Sequence, residues 1–196
     1  MEGTISMFDT FIAHVRQSLP LEEDAVELIR ASSAERHVPE GEYLLHPGHT
    51  ARELFFITGG ILGIVVEHET GRDATCYFLK ENHFCTILES FHRQTPAEEG
   101  IRAACAAHVV VFRRDALLAL YERLPGLQVF VDQSANRTLL EKVRTRNAYL
   151  GLDAATRYQV FLERQPEIAR RVSLGDAASY LGVTPQSLSR IRRGLQ

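Results

Sequence analysis

The spacing of apolar residues changes twice along the chain. Phe8, Phe11, Ile12, Val15 and Leu19 recur at helical intervals until Pro20 ends the run, and a second short helix is predicted over 22–31. From His37 to Phe112 the pattern becomes short runs of β-branched and aromatic residues. Pro39-Glu40-Gly41, Pro47-Gly48, Gly59-Gly60, Glu69-Thr70-Gly71-Arg72 and Lys80-Glu81-Asn82 separate them. Strands are predicted over 42–45, 54–58, 61–67, 74–79, 101–104 and 108–112. Many short strands with frequent turns indicate an antiparallel sandwich or roll rather than a parallel α/β sheet.

After Arg113 the helical period returns and persists. Leu117, Leu120, Tyr121 and Leu124 define one amphipathic helix, interrupted at Pro125-Gly126. In the long segment that follows, Leu127, Val131, Ala135, Leu139 and Val143 step by four, while Arg137, Glu141, Lys142, Arg144 and Arg146 occupy the remaining surface. Such a stripe needs a partner, either the same chain's roll or a second subunit. Gly151-Leu152-Asp153 reads as a stop and a new cap, opening a helix over 154–164 with Tyr158, Phe161 and Leu162 inward.

The last residues carry the most specific signal. Ser173 can cap a helix beginning at Leu174, and Ala177 and Ala178 are small enough for a second helix to approach. Gly182 suits a sharp turn with a positive φ, Thr184 caps the next helix, and Pro185 takes its first position, where the missing N–H costs nothing. Two helices joined in this way form a helix-turn-helix, the unit that lays its second helix in the major groove of DNA. At about 100° per residue, Leu188, Ile191 and Leu195 share one side of that helix, and Gln186, Arg190 and Arg193 share the other, flanked by Ser187 and Ser189. Glutamine can bond adenine in a bidentate manner and arginine can fork onto guanine, while hydroxyls and a helix N-terminus suit phosphate oxygens.

The charge distribution bears on that possibility. The 196 residues carry a net charge of −3, but residues 1–135 hold 11 Lys+Arg against 20 Asp+Glu, whereas 136–196 hold 11 against 5. The basic part is suited to a polyanion and the acidic part to another task. Hydrophobic residues at 45% and charged residues at 24% are ordinary for a globular chain and argue against disorder. No apolar run approaches the roughly 20 residues a bilayer requires, and Met1-Glu2-Gly3-Thr4 lacks a basic start with an apolar core, so the expectation is a cytoplasmic protein without a membrane partner. Cys76, Cys85 and Cys105 include no CxxC pair; they are expected to be small core residues on strands, with no disulfide and no zinc site.

Taken together, the chain resembles the CRP/FNR (cyclic-nucleotide-receptor and anaerobic-regulator) family of bacterial transcription factors. The stretch Glu42-Tyr43-Leu44-Leu45-His46-Pro47-Gly48 followed by Leu54-Phe55-Phe56-Ile57-Thr58-Gly59-Gly60-Ile61-Leu62 is similar to the family's sensor roll. Gly182-Val183-Thr184-Pro185-Gln186-Ser187-Leu188-Ser189-Arg190-Ile191 is similar to its recognition segment. The resemblance implies an α+β fold: an N-terminal antiparallel β-roll of the cyclic-nucleotide-binding type (a double-stranded β-helix) over 1–124, a dimerisation helix over 125–150, and a DNA-binding helix-turn-helix domain over 151–196. It implies a homodimer that reads a palindromic operator, with base contacts at Gln186, Ser189 and Arg190; Thr184, Ser187 and Arg193 of the same helix are further expected DNA contacts, and the stripe Leu127, Val131, Ala135, Leu139 and Val143 is the expected subunit seam. Arg170, Arg171 and Arg192 are candidates for phosphate contacts, RNA polymerase is a further partner, and no cofactor, metal or catalytic group is implied.

Two departures from the family pattern stand out. Members that bind cyclic AMP present a Gly-Glu pair and an Arg-Ser or Arg-Thr pair in the roll. The corresponding stretch from Phe84-Cys85-Thr86-Ile87-Leu88-Glu89-Ser90 to Gln94-Thr95-Pro96-Ala97 has neither, so cyclic AMP is not the expected effector, whose identity stays open. Arg93 and Arg102, which flank it, are expected to be solvated charges. Gly194-Leu195-Gln196 follow Arg193 in this sequence, so a module without the family's two-stranded wing is the expectation. Two other function classes remain: a ligand-binding or interaction module without DNA binding, and a cupin-type metal enzyme built on His46, His49 and Glu53. The second is disfavoured because the histidines bracket a Pro-Gly turn instead of lying one residue apart on a strand. His83 and Cys85 are expected to be ordinary residues rather than haem or metal ligands.

Overall fold

A computed structural model describes residues 6–67 and 73–194. The sequence-predicted turn Glu69-Thr70-Gly71-Arg72, the opening Met1-Glu2-Gly3-Thr4 and Leu195 on the inner face of the last helix lie outside the described residues. Helices α1 (Met7–Arg16) and α2 (Glu23–Ala31) lead into β1 (Ala34–Val38), β2 (Tyr43–Leu45), β3 (Glu53–Glu67), β4 (Asp73–Leu79), β5 (Phe84–Cys85), α3 (Leu88–Arg93) and β6 (Glu99–Arg113). Six helices follow: α4 (Arg114–Arg123), α5 (Pro125–Tyr149), α6 (Ala154–Arg164), α7 (Pro166–Arg171), α8 (Leu174–Tyr180) and α9 (Pro185–Gly194). The fold is α+β, with an antiparallel sheet ordered β1-β6-β3-β4, β2 pairing with β6 and β5 with β3, and a helical C-terminal region.

The strands correct the sequence-based expectation. The predicted strands 54–58 and 61–67 are two halves of β3, and 101–104 and 108–112 are two halves of β6. These long strands pair along their whole length, from Glu53 opposite Arg113 to Val66 opposite Glu99. Gly59-Gly60 is therefore a bend within a strand rather than a turn between two, and the register shifts on both sides of it. Gly60 has φ +91°, and a Cβ there would sit 2.4 Å from the Ala106 carbonyl oxygen and from Ala107 Cα. Gly41 has φ +83° but open space around it. Gly41→Ala is expected to cost only the left-handed backbone penalty of about 1–2 kcal/mol. Gly60→Ala is expected to cost a further ~1–3 kcal/mol from forced overlap, read as the difference between the urea midpoints of the two variants.

Elements that sequence periodicity does not reveal are short or polar. Strand β1, Ala-Glu-Arg-His-Val, buries only Val38 and gains its place by pairing with β6 from Ala34 opposite Val111 to Val38 opposite Ala107. Helices α3 and α7 have six residues each.

Two apolar clusters organise the interior. In the first, Phe11 of α1 sits between Phe56 and Phe112, with ring centroids 4.8 and 5.4 Å away, and the start of α5 closes the same core through Leu127, Phe130 and Val131. The second lies against the other side of the roll, where Ile61, Phe78 and Ala104 meet Tyr158, Phe161, Ile168, Ala177, Ala178, Leu181 and Leu188. Leu162, expected inward, is instead 40% exposed on the far side of α6. Of the three cysteines, Cys85 is buried, Cys105 is partly buried and Cys76 is exposed, because the alternation along β4 turns it outward between Thr75 and Tyr77.

Candidate functional site

The segment from Ser173 to Gly194 forms two helices around a tight turn, and local chemistry explains each step. Ser173 Oγ accepts the Asp176 N–H at 3.0 Å and caps α8. Gly182 takes φ +68°, and the Val183 N–H donates to the Ala178 carbonyl at 2.9 Å, a six-to-one closure that ends α8. Thr184 Oγ1 accepts the Ser187 N–H at 3.1 Å and donates to Ser187 Oγ at 2.9 Å, so these two hydroxyls cap α9. Ala177, Ala178, Leu181 and Leu188 are buried together, Leu188 completely.

Arg157 of α6 is a structural residue that the sequence does not single out. Its guanidinium donates to the carbonyl oxygens of Leu181 and Leu152, fastening the turn to the preceding helix, and a Cβ at Gly182 would lie 3.3 Å from its Nη1. Gln165 ties the same unit together by donating to the hydroxyls of Tyr149 at 2.8 Å and Tyr180 at 3.0 Å.

On α9 the sequence-predicted residues separate by face. Gln186, Ser187, Arg190, Arg192 and Arg193 are exposed, as is Thr184; Ser189 and Ile191 are half-buried. Arg190 and Arg192 form no ion pair among the described residues. Thr184 and Ser187 border a cleft of about 1100 Å³ whose opposite wall includes Glu40 and Asp73 of the roll, whereas Gln186, Arg190 and Arg193 are not among its lining residues. Arg170 pairs with Glu167 on its own helix.

Arg171 has a different partner. It reaches Glu81 at 2.6 Å in the turn between β4 and β5. Burial pushes the Glu81 carboxyl up, but hydrogen bonds from Arg171 and from the Gly60 N–H at 2.8 Å outweigh it and hold the group below the usual glutamate range. That contact stabilises the fold above the ordinary carboxylate range and is lost as pH falls through the lowered value. Arg102 also corrects an expectation. It is only 24% exposed and pairs with Asp176 of α8, because β6 turns it toward the helical unit rather than toward solvent. The Thr75 N–H adds a third polar link by donating to Ser179 Oγ at 2.9 Å. Arg93 is solvated, as expected, with Glu89 beside it.

The stripe on α5 divides in two. Leu127 and Val131 are buried in the chain's own core and Ala135 is half-buried, while Leu139 (52%) and Val143 (49%) are exposed, together with Leu140 (57%). The first half of the stripe covers the roll, and the second half stays about half exposed among the described residues, with Leu139 lining the cavity between the roll and α5.

Between the roll and α5 lies a cavity of about 520 Å³. Its walls are largely apolar, including Ile64, Tyr77, Leu79, Phe84, Leu88 and Val131, with Arg114 and Lys142 as its cations. Arg114 already donates from Nε to the Phe91 carbonyl at 2.8 Å. The segment 84–97 contributes Phe84, Thr86, Leu88, Phe91 and His92 to this cavity, whereas Ile87 and Ala97 are buried outside its lining.

Among the described residues no group of three His, Cys, Asp or Glu side chains is placed to hold a metal ion. His46 stacks on Tyr43 with ring centroids 4.3 Å apart, and His49 lies 6.0 Å from His46. No described helix is long and apolar enough to cross a membrane.

Residues 35–124 match the family model of the cyclic nucleotide-binding domain. Among curated proteins no relative matches the chain. Solved structures do. The c-di-GMP-responsive global regulator CLP of Xanthomonas campestris is 18% identical, with 89% of this chain and 92% of that one covered and a TM-score of 0.69. A protein of Eubacterium rectale described as a transcriptional regulator of the Crp/Fnr family is 16% identical over 90% and 84%, with a TM-score of 0.68. FixK2 of Bradyrhizobium japonicum is 19% identical over 83% and 84%, with a TM-score of 0.63. At these identities the likeness concerns the fold.

Proposed function

We propose that the chain is a transcription regulator of the CRP/FNR type that binds double-stranded DNA as a homodimer, with α8 and α9 as its helix-turn-helix. One observation carries this reading. The helix that the turn geometry presents has a fully buried Leu188 on one face and exposed Gln186, Arg190 and Arg193 on the other, and among the described residues those three side chains make no polar contact beyond a weak one from Arg193 to the Ser189 carbonyl at 3.5 Å. Glutamine and two arginines, one helical turn apart, match the donors needed to read adenine and guanine edges.

Ser189 flanks this face, and Thr184 and Ser187 contribute the helix N-terminus that suits a phosphate. Arg170 and Arg192 serve as backbone contacts, and Arg171 does so only when it leaves Glu81. The second copy docks on Leu139, Leu140 and Val143, not on Leu127 and Val131, which the chain's own core already uses. RNA polymerase is a partner such a regulator can recruit. Cyclic AMP is not the effector in this reading, since the segment 84–97 carries neither the Gly-Glu pair nor the Arg-Ser or Arg-Thr pair, and Arg114, a cation of the cavity beside α5, already donates to the Phe91 carbonyl.

Selection of bound duplexes from a random pool tests this proposal. The expected product is an inverted repeat with half-site centres about 34 Å apart. A pool that stays random after repeated rounds would leave the roll and helices as a ligand or interaction module. On the selected duplex, Arg190→Ala is expected to cost about 1–3 kcal/mol and to relax preference at one base pair per half-site. Equal weakening on selected and scrambled duplexes would instead make Arg190 a phosphate contact.

A further inference from the structure

The turn 80–83 between β4 and β5 is where the roll meets two separate helices. Glu81 holds Arg171 of α7, and two residues later His83 reaches α5. The His83 ring has a hydrogen-bond acceptor at both nitrogens. Nδ1 lies 3.0 Å from the Glu81 carbonyl oxygen and Nε2 lies 3.2 Å from Glu141 Oε2. A neutral imidazole carries one N–H and can satisfy only one of these, whereas the imidazolium donates to both and adds a charge-assisted bond to the carboxylate.

The turn cannot readily move to relieve the mismatch. The Ile57 N–H donates to the His83 carbonyl at 3.0 Å, Asn82 has φ +65°, and the next residue, Phe84, is buried with its ring 6.2 Å from Phe130 of α5. The His83 side chain is 22% exposed, so protons reach it from solvent.

We propose that His83 is a proton-responsive clasp that fastens the middle of α5 to the roll, closing when the imidazole is protonated and loosening when it is neutral. The neighbouring charges are few. On α5 the charged partner of the ring is Glu141, and Arg137 lies near enough to His14 to act on it. On α1 the nearest titratable group is His14, which burial, Arg137 and His83 together keep toward its neutral form. In the turn itself Lys80 is cationic, and the Glu81 carboxylate is committed to Arg171 and Gly60. Glu141 lies one residue beyond Leu140 and two before Val143, so the clasp acts on the stretch of helix whose outer face is unpartnered. This inference concerns the chain itself and does not require that DNA be the partner.

Amide hydrogen exchange of the full-length chain at pH 6 and pH 8, corrected for intrinsic rates, tests the clasp. Protection of amides 136–146 relative to those of β3 is expected to be roughly twofold to fivefold greater at the lower pH in the wild type. His83→Gln, whose amide can still donate to Glu141 but does not titrate, is expected to abolish the pH dependence, and Glu141→Gln, which keeps an acceptor without the charge, is expected to reduce it. A wild-type ratio that does not change with pH would overturn the proposal, as would a pH dependence that survives in His83→Gln. Glu141 is about half exposed and lies outside both apolar clusters, so Glu141→Gln tests the contact without burdening the core.

Discussion

Phe161→Ala is expected to cost about 3–5 kcal/mol and to release α6–α9 from the roll while leaving the roll itself folded. Phe161 is fully buried at the centre of the second apolar cluster, with its ring 5.6 Å from that of Tyr180. Among the described residues Ile61, Phe78 and Ala104, with the partly buried Cys105, connect this cluster to the sheet, whereas the roll's own interior is organised around Phe11, Phe55, Phe56 and Phe112. The cavity should therefore be felt locally. Hydrogen exchange is the appropriate measurement: protection should collapse in 154–194 and persist in β3 and β6. Uniform loss along the chain would show that the two clusters unfold as one cooperative unit, and a cost below about 1 kcal/mol would mean that the site collapses around the missing ring.

The second large effect is expected at the exposed end of α5. Leu139→Asp with Val143→Asp places carboxylates on the face assigned to the second copy, where two subunits would bury like charges against each other. At micromolar concentrations the variant should be a monomer by light scattering, and its affinity for a selected inverted repeat should fall by about a hundredfold or more, since one recognition helix then binds alone. Both side chains are about half exposed in the single chain, so its unfolding free energy should change by no more than about 0.5 kcal/mol. A variant that remains dimeric would place the subunit contact elsewhere. A wild type that is itself monomeric would remove the homodimer from the proposal.

Much of this architecture is legible in the sequence because local chemistry and tertiary structure agree. Ser173, Gly182, Thr184 and Pro185 each specify a backbone conformation that needs no distant partner, and each adopts it. The division of faces on α9 follows from helical periodicity alone. Periodicity fails where the environment rather than the residue decides. Gly59-Gly60 has the composition of a turn, yet β6 runs alongside without a break and converts the pair into a bend. The stripe on α5 has one period but two fates, since Leu127 is turned into the roll's core while Val143 is left exposed on a stretch that touches the roll through Glu141. Arg102, Arg171 and Glu81 look like surface charges because their partners are 74 to 90 residues away, and no local pattern announces a contact of that range. The same holds for His83 and Glu141, 58 residues apart.

These long-range pairs also bear on how the proposed regulator works. Arg171 can contact a phosphate or hold Glu81, but not both, and Asp176 holds Arg102 at the root of α8. Any ligand that alters the roll near β4 would act on these links, with a power set by its differential affinity for the joined and parted states.

The claim on which the rest depends is that the outer face of α9 enters the major groove. Dimethyl sulfate probing of the selected duplex reads guanine N7, which lies in that groove, and so tests it directly. The expected result is protection of guanines in each half-site, one helical turn apart, that disappears with Arg190→Ala and Arg193→Ala while the duplex stays bound at higher protein concentration. Guanines that remain reactive at saturating protein, or protection that survives loss of both arginines, would contradict it.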